Sequence, residues 1–217
     1  MATLLHILAS PRVESYSTRV AKAFLDSYRQ AQPDDRIEVL DLYQADIPPF
    51  HAPQAKAKYA VMAGQTPRDE AEAAWQPVLR TINHFKGFDK YVLSSPMWNF
   101  GVPYRLKQYI DVIVQPSLTV GYSPAKGYTG LVTGKPLMLI LARGGVYQTG
   151  NPCETFDFQE TYLRSIFGFI GFTDIRVIHI QGTLQNKPEE VEADTRKAIA
   201  EASEAAMEFA GEVAMQV

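Results

Sequence analysis

The sequence is poor in the features that mark secreted, zinc-bound and membrane proteins. It has one cysteine in 217 residues, Cys153, so neither an intramolecular disulfide nor a cysteine-based zinc cluster can form. No stretch approaches the ~18 consecutive apolar residues of a membrane span. The N-terminal segment lacks the basic start and the apolar length of a signal peptide. These absences predict a cytoplasmic protein that does not insert into a membrane.

Positive charge is not in excess either. The chain has 21 Lys and Arg against 24 Asp and Glu, a formal net charge of −3, which argues against a nucleic-acid partner. The four histidines, His6, His51, His84 and His179, lack the spacing of metal ligands, so no metal is expected. The hydrophobic fraction of 46% is enough for a buried core, and the length predicts a single domain over residues 1–217.

Short apolar runs alternate with longer helical patterns along the whole chain. Strands are predicted at residues 3–8, 37–42, 89–95, 137–142 and 175–180, and helices at 20–28, 67–85, 103–115, 156–169 and 188–210. Residues 48–66 read as an insertion that forms a solvated lid or a helix, and residues 117–135 as a loop or a small hairpin. The alternation predicts an α/β fold. It matches a flavodoxin-like, doubly wound, five-stranded parallel sheet of order 2-1-3-4-5 with helices on both faces. Ligands of such sheets bind at the carboxyl ends of the strands.

The loop after the first strand is rich in hydroxyl groups. Ser10, Arg12, Ser15, Tyr16 and Ser17 come directly before a predicted helix. A helix N-terminus offers unpaired N–H groups and a partial positive charge, so this loop is suited to a phosphate. A simple N-cap is the alternative, because serine is a preferred capping residue.

The loop after the third strand carries large apolar and aromatic side chains. It reads Pro96, Met97, Trp98, Asn99 and Phe100. Asn99 has both a donor and an acceptor, which suits the edge of a heterocycle. The run therefore indicates either a cover for a flat ligand or aromatic packing at the rim of the sheet.

The loop after the fourth strand contains a pair of glycines. Ala142, Arg143, Gly144 and Gly145 permit a left-handed backbone or the close approach of a planar ligand, although a tight turn is the commoner use of this pair. The three loops share one end of the sheet. Together they fit a phosphate, a ring with a polar edge and a close backbone contact, which describes flavin mononucleotide (FMN).

In these loops the chain closely resembles the FMN-dependent NADH:quinone oxidoreductase and azoreductase family. The resemblance covers nearly the whole chain and rests on Ser10 with Ser15-Tyr16-Ser17, on Pro96-Met97-Trp98-Asn99-Phe100, on Arg143-Gly144-Gly145 and on the run from Phe167 to Asp174. It implies that the first loop holds the FMN phosphate, and that the second and third hold the ribityl chain and the ring.

The resemblance also implies the chemistry and the assembly. NADH or NADPH gives hydride to flavin N5, and a quinone or an azo compound then receives two electrons in a ping-pong cycle that needs no catalytic side chain. The implied assembly is a homodimer with its flavin sites at the interface.

The chain departs from the family pattern around the substrate pocket, which the resemblance places at Val120, Tyr122 and Ile166. Trp98 replaces the usual tyrosine, and the aromatic residue that often lies over the flavin is lost or displaced to Tyr122. Two alternative functions remain open: a non-enzymatic electron carrier of the flavodoxin type, and an α/β binding module without flavin.

Overall fold

Five parallel strands form the main sheet of the computed structural model, which describes residues 1–148 and 150–211. In chain order the strands are β1 (Thr3–Leu8), β2 (Arg36–Asp41), β3 (Lys90–Pro96), β4 (Val120–Ser123), β5 (Gly127–Gly130), β6 (Leu137–Ala142) and β7 (Ile175–Ile180). The sheet has the order β2-β1-β3-β6-β7, and β4 and β5 form a separate antiparallel hairpin. The predicted order of the five sheet strands is confirmed.

Within residues 1–148 and 150–211, six helices surround the sheet. They are α1 (Tyr16–Ala31), α2 (Ala52–Met62), α3 (Asp69–Lys86), α4 (Tyr104–Ile113), α5 (Phe158–Ile170) and α6 (Pro188–Gly211), with a short 3-10 turn at Glu154–Phe156. The apolar spacing predicted α1 well, because Val20, Phe24 and Tyr28 are all buried along one stripe. Of the alternatives for residues 48–66 and 117–135, the structure has the helix α2 and the hairpin.

The core consists of two clusters that take alternate residues of the strands. In β6, Leu137, Leu139 and Leu141 join one cluster, while Met138 and Ile140 join the other. The first cluster also contains side chains of α3, α4 and α5, and the second contains side chains of α1 and α6. Successive residues of a strand point to opposite sides of the sheet, and each side of β6 faces a core cluster. The sequence of β6 is therefore a continuous apolar run.

Backbone hydrogen bonds place the three loops of interest side by side. The Ala9 N–H donates to the Ser94 carbonyl at 2.9 Å, and the Met97 N–H donates to the Ala142 carbonyl at 2.7 Å. The ends of β1, β3 and β6 are therefore adjacent. This is the edge at which the sequence predicts a ligand.

His6 is a buried titratable residue of β1, on the side of the sheet that faces the second cluster. It is 4% exposed, and its Nε2 lies 2.9 Å from Ser94 Oγ. Burial, with a smaller contribution from the charge of Arg29, lowers the pKa of His6 from 6.5 to about 4. The ring is neutral in the folded protein at neutral pH.

We expect His6 to make the free energy of unfolding rise with pH between about 4 and 6.5. In this window the unfolded chain binds a proton that the folded chain does not, so stability falls as the pH drops through it. Urea unfolding at several pH values measures the slope. His6→Gln should flatten it, and His51→Gln, at an exposed histidine, should not; an unchanged slope in His6→Gln contradicts the assignment.

Candidate functional site

A cavity of about 320 Å³ opens between the loops that follow β1, β3 and β6. Of the residues predicted from the sequence, those lining it are Ser10, Arg12, Ser15, Tyr16, Pro96, Met97, Trp98, Ala142 and Gly144. Pro11, Thr183 and Leu184 also line it and were missed. The cavity therefore brings most of the three predicted loops together and adds a fourth, the loop after β7.

One end of the cavity is the N-terminus of α1. Ser15 is the N-cap residue, but its side chain makes no capping hydrogen bond to the described residues. Its Oγ instead lies 3.0 Å from Ser17 Oγ, and Ser10 Oγ accepts from the Arg12 N–H at 3.3 Å. The simple N-cap interpretation is thus not what the structure shows. The uncapped first turn and its partial positive charge suit a phosphate.

The loop after β3 makes a tight two-residue turn. The backbones of Trp98 and Gly101 exchange two hydrogen bonds, of 3.1 and 2.9 Å. Asn99 and Phe100 between them have φ of 48° and 66°, the combination of a type I′ turn. Asparagine tolerates the left-handed region, whereas phenylalanine is strained there.

Contacts with the segment before α5 brace this turn. The Phe100 ring lies 5.2 Å from the Phe156 ring, and the Phe158 N–H donates to the Phe100 carbonyl at 3.1 Å. These contacts offset the strain at Phe100 and fix the turn beside the cavity. Asn99 and Phe100 themselves do not line the cavity.

We expect Phe100→Gly to be about 1 kcal/mol more stable than Phe100→Ala. Both variants lose the ring, but only glycine adopts a φ of 66° without strain. Chemical denaturation of the pair measures the difference. At Tyr104, the first residue of α4, the alanine variant should be at least as stable as the glycine variant. If Phe100→Gly and Phe100→Ala have equal free energies of unfolding, the turn is not strained at Phe100.

Aromatic rings form a wall beside the cavity. The Trp98 ring centroid is 6.4 Å from those of both Tyr43 and Tyr104, and Trp98 is 37% exposed. The Tyr43 hydroxyl is buried and has no hydrogen-bond partner among the described residues. The three rings are tilted or perpendicular to one another, and of the three Trp98 lines the cavity, so its face is the one available to a planar ligand.

Arg143 is held away from the cavity by a buried ion network. Its guanidinium is 2% exposed and lies 2.9 Å from an Asp157 carboxylate oxygen and 3.2 Å from a Glu160 oxygen. Glu160 also lies 2.7 Å from His179 Nε2 and 2.8 Å from Arg164 Nε. The side chain of Arg143 joins the end of β6 to the start of α5.

The same network keeps Glu160 ionised. The hydrogen bond from His179, then those of Arg164 and the charge of Arg143, lower the pKa of Glu160 from 4.5 to about 2, against the opposing effect of burial. The carboxylate therefore stabilises the folded protein above pH 4.5, and this contribution is lost as the pH falls toward 2.

The loop after β7 lies against the two glycines. The Leu184 N–H donates to the Gly144 carbonyl and the Gly182 N–H to the Gly145 carbonyl, both at 3.0 Å. Neither Gly144 nor Gly145 has a positive φ, so the expected left-handed backbone is wrong for this pair. A Cβ at Gly144 would lie 2.8 Å from Leu184 Cδ1, the end of an exposed side chain that can move aside, so this contact alone does not require glycine.

The residues predicted for the substrate pocket lie on the hairpin and α5. Val120 is buried, Ile166 packs against the first core cluster, and the exposed Tyr122 ring is 5.2 Å from the Tyr128 ring. None of the three lines the cavity. Their role in substrate binding stays a prediction.

Cys153 lies close to the braced turn. Its carbonyl accepts from the N–H of Phe156, the residue whose ring contacts Phe100, at 3.0 Å. The thiol is free and partly exposed. Within residues 1–148 and 150–211 no group of His, Cys, Asp and Glu is arranged to hold a metal ion, and no helix is long and apolar enough to span a membrane.

Comparison with known proteins finds relatives that match most of the chain. A family model described as a flavodoxin-like fold matches residues 2–206. An FMN-dependent NADH:quinone oxidoreductase of Nitratidesulfovibrio vulgaris strain DP4 is 47% identical over 210 residues, which are 96% of this chain and all of the relative. A protein of the same name from Desulfotalea psychrophila is 44% identical over 85% of this chain and 87% of its own length.

A solved structure agrees with these relatives. The FMN-dependent NADH-azoreductase of Bacillus anthracis strain Ames Ancestor, in complex with FMN, superposes with a TM-score of 0.86 at 30% identity. The match covers 97% of this chain and 100% of that one.

Proposed function

The chain belongs to the family of flavodoxin-like FMN-dependent NADH:quinone oxidoreductases, and from this premise we propose that it uses FMN to reduce quinones and azo compounds with NADH or NADPH. The observation that carries the proposal is the cavity at the ends of β1, β3 and β6. It joins an uncapped helix N-terminus to an aromatic wall, as a phosphorylated flavin requires.

We assign the phosphate to the uncapped first turn of α1, where Ser10, Arg12 and Ser15 line the cavity. The predicted Ser17 is buried behind them, with its hydroxyl 3.0 Å from that of Ser15. The ring belongs beside Trp98 and the Gly144 backbone, with the Asn99 turn at its edge. Arg143 supports this site through its ion network rather than by touching the ligand with its side chain.

A bound FMN would supply two-electron redox chemistry between the nicotinamide and the second substrate, and we propose that the two substrates react in turn, in a ping-pong order. The chain's own residues bind, orient and exclude water. Trp98 and Leu184 line the cavity, and the braced turn keeps Asn99 in place. No side chain of the cavity forms an acid–base pair, so the protons come from solvent.

Exposed aromatic side chains favour a homodimer with the flavin sites at its interface. Phe100, Tyr122, Tyr128, Phe158 and Phe169 are all exposed, and clusters of this kind usually mark a contact surface. Sedimentation of the FMN-loaded protein tests the assembly. We also interpret the two core clusters as the faces of a doubly wound sheet, and a cytoplasmic location stays a prediction for cell fractionation.

Anaerobic stopped-flow on the FMN-loaded protein tests the function. We expect rapid two-electron bleaching of the flavin by NADH or NADPH, followed by reoxidation on mixing with a quinone or an azo dye. Accumulation of a one-electron-reduced form without turnover would favour the electron carrier. Failure of the purified chain to take up FMN would support the flavin-free module and refute the proposal.

We expect Arg12→Gln to weaken FMN binding by about 10-fold, the loss of one charge-assisted contact of ~1.5 kcal/mol. Arg12 lines the phosphate end of the cavity, so riboflavin, which has no phosphate, should bind both proteins equally. Quenching of flavin fluorescence measures both affinities. Lys22→Gln, which removes an exposed cation from the helix α1 that follows Arg12, is the matched control. Equal weakening of FMN and riboflavin would place Arg12 elsewhere on the ligand.

A further inference from the structure

The loop after β2 carries one ring of the aromatic wall and is held in place by a side chain of α4. Arg105 donates from Nε to the Leu42 carbonyl and from Nη2 to the Ala45 carbonyl, both at 2.7 Å. These two carbonyls lie on either side of Tyr43 in the chain. A guanidinium is a rigid planar fork, so this one side chain fixes the backbone before and after Tyr43.

The remaining contact of the Arg105 guanidinium serves the same loop. Its Nη1 donates to Gln108 Oε1 at 2.9 Å, and Gln108 Nε2 donates to the Ile47 carbonyl at 3.1 Å. The three acceptors of Arg105 in the described part of the chain are therefore neutral amide oxygens. Lys107 of the same helix differs, because it forms an exposed ion pair with Asp111.

Tyr43 connects this loop to the cavity. Its ring centroid lies 6.4 Å from that of Trp98, with 59° between the ring planes. The Tyr104 ring packs against both, at 6.0 Å from Tyr43 and 6.4 Å from Trp98. The Tyr43 hydroxyl has no hydrogen-bond partner among the described residues, so Tyr43 acts on Trp98 through its ring. Trp98 in turn lines the cavity.

We infer that Arg105 is a positioning residue for the flavin site, which holds the loop after β2 so that Tyr43 keeps the Trp98 indole at the cavity. The inference rests on the proposed function, because the ligand ring that meets Trp98 is that of FMN. A side chain that is ordered before the ligand arrives loses less entropy on binding, which raises affinity. Arg105 provides this order from outside the cavity, whose lining it does not join.

Titration of the flavin-depleted full-length chain with FMN and with riboflavin, followed by flavin fluorescence, tests the inference. Arg105→Gln should weaken both flavins by about 3- to 10-fold, because both carry the ring that Trp98 contacts. Arg12→Gln, by contrast, should weaken FMN alone. Arg105→Lys keeps the charge without the fork and should fall between Arg105→Gln and wild type. Lys107→Gln, which removes an exposed cation from the same helix, is the matched control and should change neither affinity.

A double-substitution cycle separates positioning from a general loss of stability. Tyr43→Leu removes the ring that contacts Trp98 and should weaken both flavins as much as Arg105→Gln does. Tyr43→Phe keeps that ring and should restore wild-type affinity. Adding Arg105→Gln to Tyr43→Leu should cause no further loss, whereas a merely structural role of Arg105 would add its own effect.

Tryptophan fluorescence gives a readout in the absence of flavin. The chain has two tryptophans, of which Trp75 is 3% exposed and Trp98 37% exposed, so acrylamide quenches Trp98 selectively. Arg105→Gln should raise the quenching constant, and Trp98→Phe should remove the quenched component. The inference is overturned if Arg105→Gln binds both flavins as wild type does, if the losses in the cycle add, or if quenching is unchanged. A wild-type chain that binds no flavin would refute the proposed function itself, and the inference with it.

Discussion

Arg143→Ala is expected to lower the free energy of unfolding by about 3–5 kcal/mol, the usual effect of removing one partner from a buried ion pair. Arg143 is 2% exposed, and its loss leaves the carboxylates of Asp157 and Glu160 without their buried cation. These carboxylates lie at the start of α5. The Arg143 carbonyl accepts from both the N–H and the Oγ1 of Thr183, which lines the cavity. FMN affinity should therefore fall together with stability. Urea denaturation and flavin titration measure the two losses.

Two variants check that the buried network is the cause. Arg164→Gln removes another guanidinium from the same Glu160, but this side chain is 45% exposed, so a loss of only about 0.5 kcal/mol is expected. Arg143→Lys keeps the charge without the planar fork and should fall between alanine and wild type. A loss below about 1 kcal/mol in Arg143→Ala would show that the network contributes little.

Gly130→Ala is expected to destabilise the protein by about 3 kcal/mol, at the upper end of the range for overpacking. A Cβ at this position would overlap the backbone of Gly171, at the end of α5, where no side chain can move aside. The hairpin of β4 and β5 would have to separate from α5. Chemical denaturation measures the loss, and hydrogen exchange in residues 120–132 should show the local opening.

Other glycines of the chain provide matched controls for this substitution. Gly168 lies inside α5 with open space around its Cβ position, so Gly168→Ala should stabilise by about 0.5–1 kcal/mol. Gly127 has a φ of 68° and open space, so Gly127→Ala should cost about 1 kcal/mol from strain alone. If Gly130→Ala lowers the free energy of unfolding no more than Gly127→Ala does, the backbones of Gly130 and Gly171 can move apart without a large loss of stability.

Local patterns were sufficient to predict most of the fold. Thr3–Leu8 and Leu137–Ala142 form strands that are buried among other elements. A short, continuous apolar run is the sequence pattern of such a strand, which is why both could be predicted. Parallel strands end on the same edge, so the sequence also indicated that Ser10, Met97 and Gly144 line one cavity.

Contacts between residues that are distant in the sequence could not be predicted from local patterns. The pairing of Glu160 with Arg143 and His179 depends on where the start of α5 lies relative to β6 and β7, and no spacing in the sequence encodes it. Leu184 was missed because it is a lone apolar residue in a polar turn. An exposed position of this kind carries no periodicity.

Backbone conformation at the braced turn was equally hidden. Asn99 is a residue type that favours a positive φ, but Phe100 is not, and only its contacts with Phe156 and Phe158 explain why it adopts 66°. The Tyr109 hydroxyl is buried without a hydrogen-bond partner among residues 1–148 and 150–211, which the sequence could not show, since a tyrosine at helical spacing indicates only a core residue.

The single thiol of the chain makes the braced turn accessible to spectroscopy. Cys153 is free and partly exposed, and its carbonyl is hydrogen-bonded to the residue whose ring touches Phe100. A maleimide dye or a nitroxide can therefore be attached at one defined place without first removing other cysteines. The label would sit one residue contact away from the braced turn and report on the order of that segment when a ligand binds.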